Sequence, residues 1–163
     1  MSRLVSSNPA PLRSPLNEEF IMKVLYTAHG TAQHGGRGGG TSATDDGKVS
    51  VKLSVPKAMG GDDGPGTNPE QLFALGYSAC FLGAMSAAAR KMNIKLDPET
   101  TVSAAVSFAD REDNVGYTIV AELESHAPGL SKEETEKLMA AAHDICPYSD
   151  LIRNKHDVKL TAV

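Results

Sequence analysis

Residues 72–89 are eighteen consecutive residues without a charge and make up all but Gln71 of the longest uncharged run in this 163-residue chain. That length matches a bilayer crossing. Yet the run holds Gly76, Ser78, Gly83, Ser86 and many alanines, which dilute its hydropathy. A buried helix of a soluble domain is the better reading, with no membrane span expected. A helix that is apolar on every side must be covered on every side. Gly76, Cys80, Gly83 and Ala87 follow at spacings of four, three and four, which puts them on one helical face bordered by Ala79 and Ala84. Small residues there let another backbone approach closely, either the chain's own sheet or the same helix of a second copy. A single short domain has little with which to surround such a helix, so the expectation is an intertwined homodimer.

The flanking sequence predicts the rest of the architecture. Thr67 or Asn68 caps the long helix, Pro69 suits its first position, Glu70 complements its positive end, and it runs to about Lys91. Residues 23–28 read as a strand. The glycine-rich stretch from His29 to Gly40 reads as a flexible turn. Val49, Val51, Leu53 and Val55 alternate with polar residues and predict a half-buried strand. Residues 60–66 are loop. Residues 100–108 and 116–124 predict an antiparallel hairpin. Ser131-Lys132-Glu133-Glu134 is a capping box opening a second helix, with Leu138, Ala142 and Ile145 on its inner face and Cys146-Pro147 at its end. Residues 157–163 predict a closing strand. Residues 1–21, rich in Pro and Ser, read as a disordered extension of one domain spanning 22–163, with Met22 an alternative start. The fold class is α+β, mostly antiparallel.

A net charge of −4 argues against nucleic-acid or anionic-membrane binding. With two cysteines and no signal-peptide pattern, the chain reads as cytoplasmic, from a bacterium-like cell. The five histidines have no metal-ligand spacing, so no metal and no bound cofactor are expected.

Cys80 and Cys146 are the only cysteines, and each has a packing role as its bland alternative. A free thiol with a pKa of ~8.5 is only about 3% thiolate at pH 7, and lowering the pKa to ~6 raises that about thirtyfold. Cys80 lies too deep in its helix for the helix N-terminus to help, so a cation is needed. Arg37, set among five glycines, is the candidate, and Glu70 can orient it bidentately. Ten residues of helix separate Glu70 from Cys80 by about 15 Å. If both serve one site, the helix bends or Glu70 comes from another subunit. Cys146 ends a helix, where the dipole disfavours a thiolate, which suits a resolving thiol.

These segments resemble the organic hydroperoxide resistance proteins, relatives of osmotically inducible protein C. The likeness rests on residues 23–28, Gly35-Gly36-Arg37, Lys52-Leu53-Ser54-Val55-Pro56, Gly66-Thr67-Asn68-Pro69-Glu70-Gln71-Leu72-Phe73-Ala74, Gly76-Tyr77-Ser78-Ala79-Cys80-Phe81 and Cys146-Pro147-Tyr148-Ser149. The resemblance implies an OsmC/Ohr-like fold: antiparallel sheets wrapped around long central helices in an intertwined homodimer with sites at its interface. It implies a thiol peroxidase that prefers organic and fatty-acid hydroperoxides, with a lipoylated protein or other dithiol as reductant. Cys80 matches the peroxidatic cysteine, Cys146 the resolving one, and Arg37 and Glu70 the activating pair. Many members carry an acidic residue after Gly-Gly-Arg, where this chain has Gly38. An OsmC-type peroxidase of broader range, a non-catalytic module for apolar ligands and a cysteine hydrolase are the rival readings. No His or Asp is placed as a base for the hydrolase.

Overall fold

The computed structural model describes residues 23–154, 158 and 160–162. The element order is β1 (Gly30–Gln33), β2 (Thr41–Thr44), β3 (Ser50–Lys52), α1 (Pro69–Lys91), β4 (Thr101–Asp110), β5 (Tyr117–His126), α2 (Lys132–Ile145) and α3 (Pro147–Asn154), with 3₁₀ turns at Gly36–Gly38 and Lys57–Met59. β1, β2 and β3 form one antiparallel meander, and β4 and β5 form a separate ten-pair hairpin.

The local signals that work here are short-range. The Asn68 side chain accepts the Gln71 N–H and Pro69 follows it, so α1 starts where expected. Ser131 and Glu134 close the capping box reciprocally at α2. On β4, Val102, Ala104, Val106 and Phe108 alternate with the exposed Thr101, Ser103, Ala105 and Ser107. α1 lies on β4, α2 and α3, and the core is built from Tyr77, Phe81, Ala84, Met85, Ala88 and Ala89 of α1 with Leu138, Ala142 and Cys146. By length and composition α1 could cross a membrane. Its aromatic and methionine face is packed inside this fold instead.

Four expectations change. Residues 23–28 are not a strand: the first pairing runs over Gly30–Gln33 inside the glycine-rich segment, and Val24, Leu25 and Tyr26 stay exposed. Strand propensity alone does not make a strand where no neighbour supplies hydrogen bonds. The chain after Cys146 forms a third helix. Ile145 faces outward, unlike Leu138 and Ala142. Of the expected closing strand, Val158 and residues 160–162 are unpaired, and the remainder lies outside the described residues, as do the extension 1–21 and Met22.

α1 is not covered all round. Leu75 is 68% exposed, and Ala79 and Gly83, the next residues along that face, are exposed with it. A Cβ built on Gly83 meets nothing within 4 Å, whereas one on Gly76 comes 3.0 Å from the Tyr148 hydroxyl. The small-residue stripe is therefore divided. Gly76 and Cys80 face α3 and the α2–α3 junction, and Gly83 faces outward.

Candidate active site

Two stations along α1 carry the predicted residues. At its N-terminus, the turn Gly36–Gly38 presents Arg37. Gly35 (φ 92°) and Gly39 (φ 128°) flank it in conformations that side chains rarely adopt. Arg37 Nη1 and Nη2 donate to Glu70 Oε2 and Oε1, each at 2.7 Å. This is the fork geometry that only a guanidinium supplies. Arg37 also lies over the Phe108 ring, 4.7 Å from its centroid, and Phe108 packs on Tyr117 at 4.5 Å. Arg37, Glu70, Phe108, Tyr117, Thr118 and Ile119 line an open cleft of about 370 Å³. The Arg37 hydrogen bonds hold the Glu70 carboxyl below its ordinary range against the opposing effect of burial, and Glu70 raises Arg37 in turn.

Three turns further on, Cys80 Sγ and Cys146 Sγ lie 3.5 Å apart as free thiols. Cys80 is partly exposed and Cys146 fully buried. A disulfide needs about 2.05 Å between sulfurs, so small side-chain rotations suffice to form one. Burial pushes the Cys80 thiol up, Cys146 adds to this, and the Tyr148 N–H opposes it. Burial acts on Cys146 in the same upward sense. Hydrogen bonds from the Ser149 N–H and hydroxyl, from Cys80 and from the Tyr148 N–H outweigh it and bring the Cys146 thiol down.

That result corrects the sequence reading of Cys146. It does end α2, its N–H bonding the Ala142 carbonyl. It also opens α3: its carbonyl accepts the Asp150 N–H, and Pro147 occupies the first position of that helix. The sulfur therefore meets the donor end of a helix, which favours a thiolate. Pro147 was the available signal, since proline both stops one helix and starts the next. Tyr77, Phe108, Tyr148 and Ser149 were not singled out as site residues. The four-residue spacing of Phe73, Tyr77 and Phe81 was the cue for an aromatic wall.

Arg37 and Glu70 are brought together, and so are Cys80 and Cys146, but the two pairs are not brought together within one chain. α1 runs unbroken from Pro69 to Lys91. Glu70 and Cys80 are thus about 15 Å apart along its axis and roughly 80° apart around it. Neither Arg37 nor Glu70 is among the groups that act on the Cys80 thiol. Of the two routes to one site, a bent helix is absent here.

Two free thiols in contact, one on the central helix and one at the junction of α2 and α3, with a clamped arginine at the central helix's N-terminus, mark the class of this α+β fold. The chain belongs to the OsmC-like protein family, whose sequence profile matches residues 60–161. It is 47% identical over 139 residues to an organic hydroperoxide resistance protein of Xanthomonas axonopodis pv. citri, covering 85% of this chain and 95% of that one. A solved structure described as an organic hydroperoxide resistance protein OsmC from Legionella pneumophila superposes with a TM-score of 0.73 at 39% identity, covering 84% of this chain and 96% of that one. The organic hydroperoxide resistance protein OhrB of Bacillus subtilis gives 0.71 at 39% identity, with 83% and 97% covered.

Proposed function

We propose that the protein is a cytoplasmic, thiol-dependent peroxidase that reduces organic hydroperoxides, fatty-acid hydroperoxides among them, to alcohols. The observation that carries this is the Cys80–Cys146 contact at 3.5 Å, in a chain whose relatives are named for organic hydroperoxide resistance.

Cys80 is the first nucleophile because it is the more accessible sulfur. Its thiolate attacks the outer oxygen of ROOH, the O–O bond breaks, and the alkoxide leaves as ROH after taking a proton. Cys80 becomes a sulfenic acid. Cys146 attacks that sulfur, its own proton leaves with the hydroxyl as water, and a Cys80–Cys146 disulfide forms. A dithiol of the lipoyl type restores both thiols by exchange. Arg37 stabilises the Cys80 thiolate and the charge developing on the peroxide. Since Arg37 and Glu70 of one chain stand three helical turns from that chain's Cys80, the working protein is a homodimer in which the pair from one copy serves the thiols of the other. The bare face at Leu75, Ala79 and Gly83 and the exposed Val24, Leu25 and Tyr26 are where that copy sits.

Consumption of cumene hydroperoxide against hydrogen peroxide, with dihydrolipoamide as donor, tests the reading. Cys80→Ser is expected to abolish turnover, and retained turnover would sink the assignment. Cys146→Ser is expected to be oxidised once, to form no intramolecular disulfide by intact mass, and to over-oxidise. Simple binding of the hydroperoxide without turnover by the wild type would favour the non-catalytic apolar-ligand module.

A further inference from the structure

Phe108 stands apart from the rest of its strand. Val102 and Ala104, on the same face of β4, pack against the hydrophobic core, and Phe108, further along that face, is not part of it. Its partners lie elsewhere. The guanidinium carbon of Arg37 lies over the ring, 4.7 Å from the centroid. Across the hairpin Phe108 stands opposite Ile119, and the diagonal neighbour Tyr117 brings its ring centroid to 4.5 Å at an interplanar angle of 31°. The face of a phenyl ring is electronegative and attracts a cation held within about 6 Å of its centroid.

Arg37 is thus held by two elements. Glu70 of α1 accepts from both Nη atoms along one edge of the guanidinium. A side-chain pair joined only at that edge can swing as a unit. The Phe108 ring of β4 limits the swing. Among the described residues the two bonds to Glu70 are the only hydrogen bonds of the Arg37 side chain, so its other N–H donors are left for the cleft. We propose that Phe108, backed by Tyr117, is a positioning residue for Arg37: its π face fixes the guanidinium that Glu70 clamps, and so fixes where the free N–H donors meet a peroxide. What the arginine does rests on the peroxidase reading above; how it is held does not.

Phe108 also lines an apolar cleft of about 580 Å³ with Met59, Ala74 and Val106, so turnover alone does not isolate the clamp. The Glu70 carboxyl does. Arg37 holds it below its ordinary range, and a loosened guanidinium lets its midpoint rise. The other titratable side chains around the clamp are His34 ahead of the arginine turn, Asp110 at the end of β4 and Tyr117 at the start of β5, and Glu70 is the charged group that acts on Arg37. Carboxyl carbon-13 NMR titrations of wild type, Phe108→Leu, Phe108→Tyr and Arg37→Ala read the Glu70 midpoint directly. Phe108→Leu is expected to raise it part of the way to its value in Arg37→Ala, and Phe108→Tyr to leave it near wild type. A ring-trifluorinated phenylalanine in place of Phe108 keeps the ring and drains its negative face, and is expected to raise the midpoint in the same sense. An unmoved midpoint in Phe108→Leu overturns the proposal. A midpoint moved by leucine but not by the fluorinated ring makes Phe108 a packing residue and overturns it as well. With cumene hydroperoxide, the fluorinated ring is expected to lower kcat about threefold with KM little changed. Full kcat beside a raised Glu70 midpoint would overturn the link from the clamp to the peroxide. The titration needs no turnover, so a failure of the peroxidase reading registers separately, as an inactive wild type whose Glu70 midpoint still answers to Phe108.

Discussion

Glu70 has two local tasks at the residue scale. It sits in the first turn of α1, where a carboxylate suits the helix dipole, and it receives both forks of Arg37. Its side chain is 12% exposed and that of Arg37 35%, so solvent screens the pair on one side only. Replacing Glu70 by Gln keeps the shape and removes the charge. We expect a loss of about 1 kcal/mol at pH 7, discounted for the exposed guanidinium. The sign with pH follows from the depressed carboxyl. Its stabilisation is complete above about pH 4.3, the ordinary Glu value, and is lost as pH falls through the lower folded value. Urea unfolding of wild type and Glu70→Gln at one protein concentration is expected to show a gap at pH 7 that closes in acid. A gap that persists in acid would mean that the substitution acts through packing. The Arg37–Glu70 pairing was legible beforehand because its parts are chemically specific: an arginine ringed by glycines and a carboxylate at a helix start. Phe108, which carries the guanidinium on its ring, was hidden because nothing local to a hairpin residue reports what crosses over it.

Elements were legible in proportion to how locally they are specified. Asn68-Pro69-Glu70 and Ser131 to Glu134 contain their own caps, and both helices start where those residues say. Residues 23–28 carry strand-forming side chains, but a strand is fixed by a partner that the segment does not encode. α3 is harder to read, because Pro147 after the second helix signals a stop as readily as a new start. The contact between α1 and α3 is the most sensitive of these joints. A methyl on Gly76 would come 3.0 Å from the Tyr148 Oη and 3.2 Å from its Cε2, and the Tyr148 backbone N–H favours the thiolate form of both cysteines. Gly76→Ala gains about 1 kcal/mol of helix propensity and spends a similar amount displacing the Tyr148 ring, so thermal stability is expected to stay close to wild type. Disulfide formation after a single peroxide pulse is expected to slow, because the ring and the backbone of Tyr148 move together. Unchanged disulfide kinetics by quenched intact-mass measurement would show that the ring yields alone.

For the molecule as a whole, the decisive question is what covers the outer face of α1. The sequence pointed to a helix buried on all sides, and one chain buries only part of it, leaving Leu75, Ala79 and Gly83 open. Gly83 separates the two outcomes because its substitution has opposite signs in them. If that face meets solvent, Gly83→Ala has free space within 4 Å and is expected to stabilise the protein by about 1 kcal/mol through helix propensity alone. If a second α1 lies against it, as the proposed dimer requires, an added side chain pushes two backbones apart. Gly83→Leu is then expected to shift sedimentation from about twice the 17.2 kDa chain mass toward the single chain. Cumene hydroperoxide turnover is expected to fall with dimer content and to recover partly at higher protein concentration, since Glu70, which holds Arg37, and Cys80 of one chain stand at different stations of α1. A monomeric wild type, or a Gly83→Leu monomer with full turnover, would require a rearrangement within one chain to carry Arg37 three helical turns to its own Cys80.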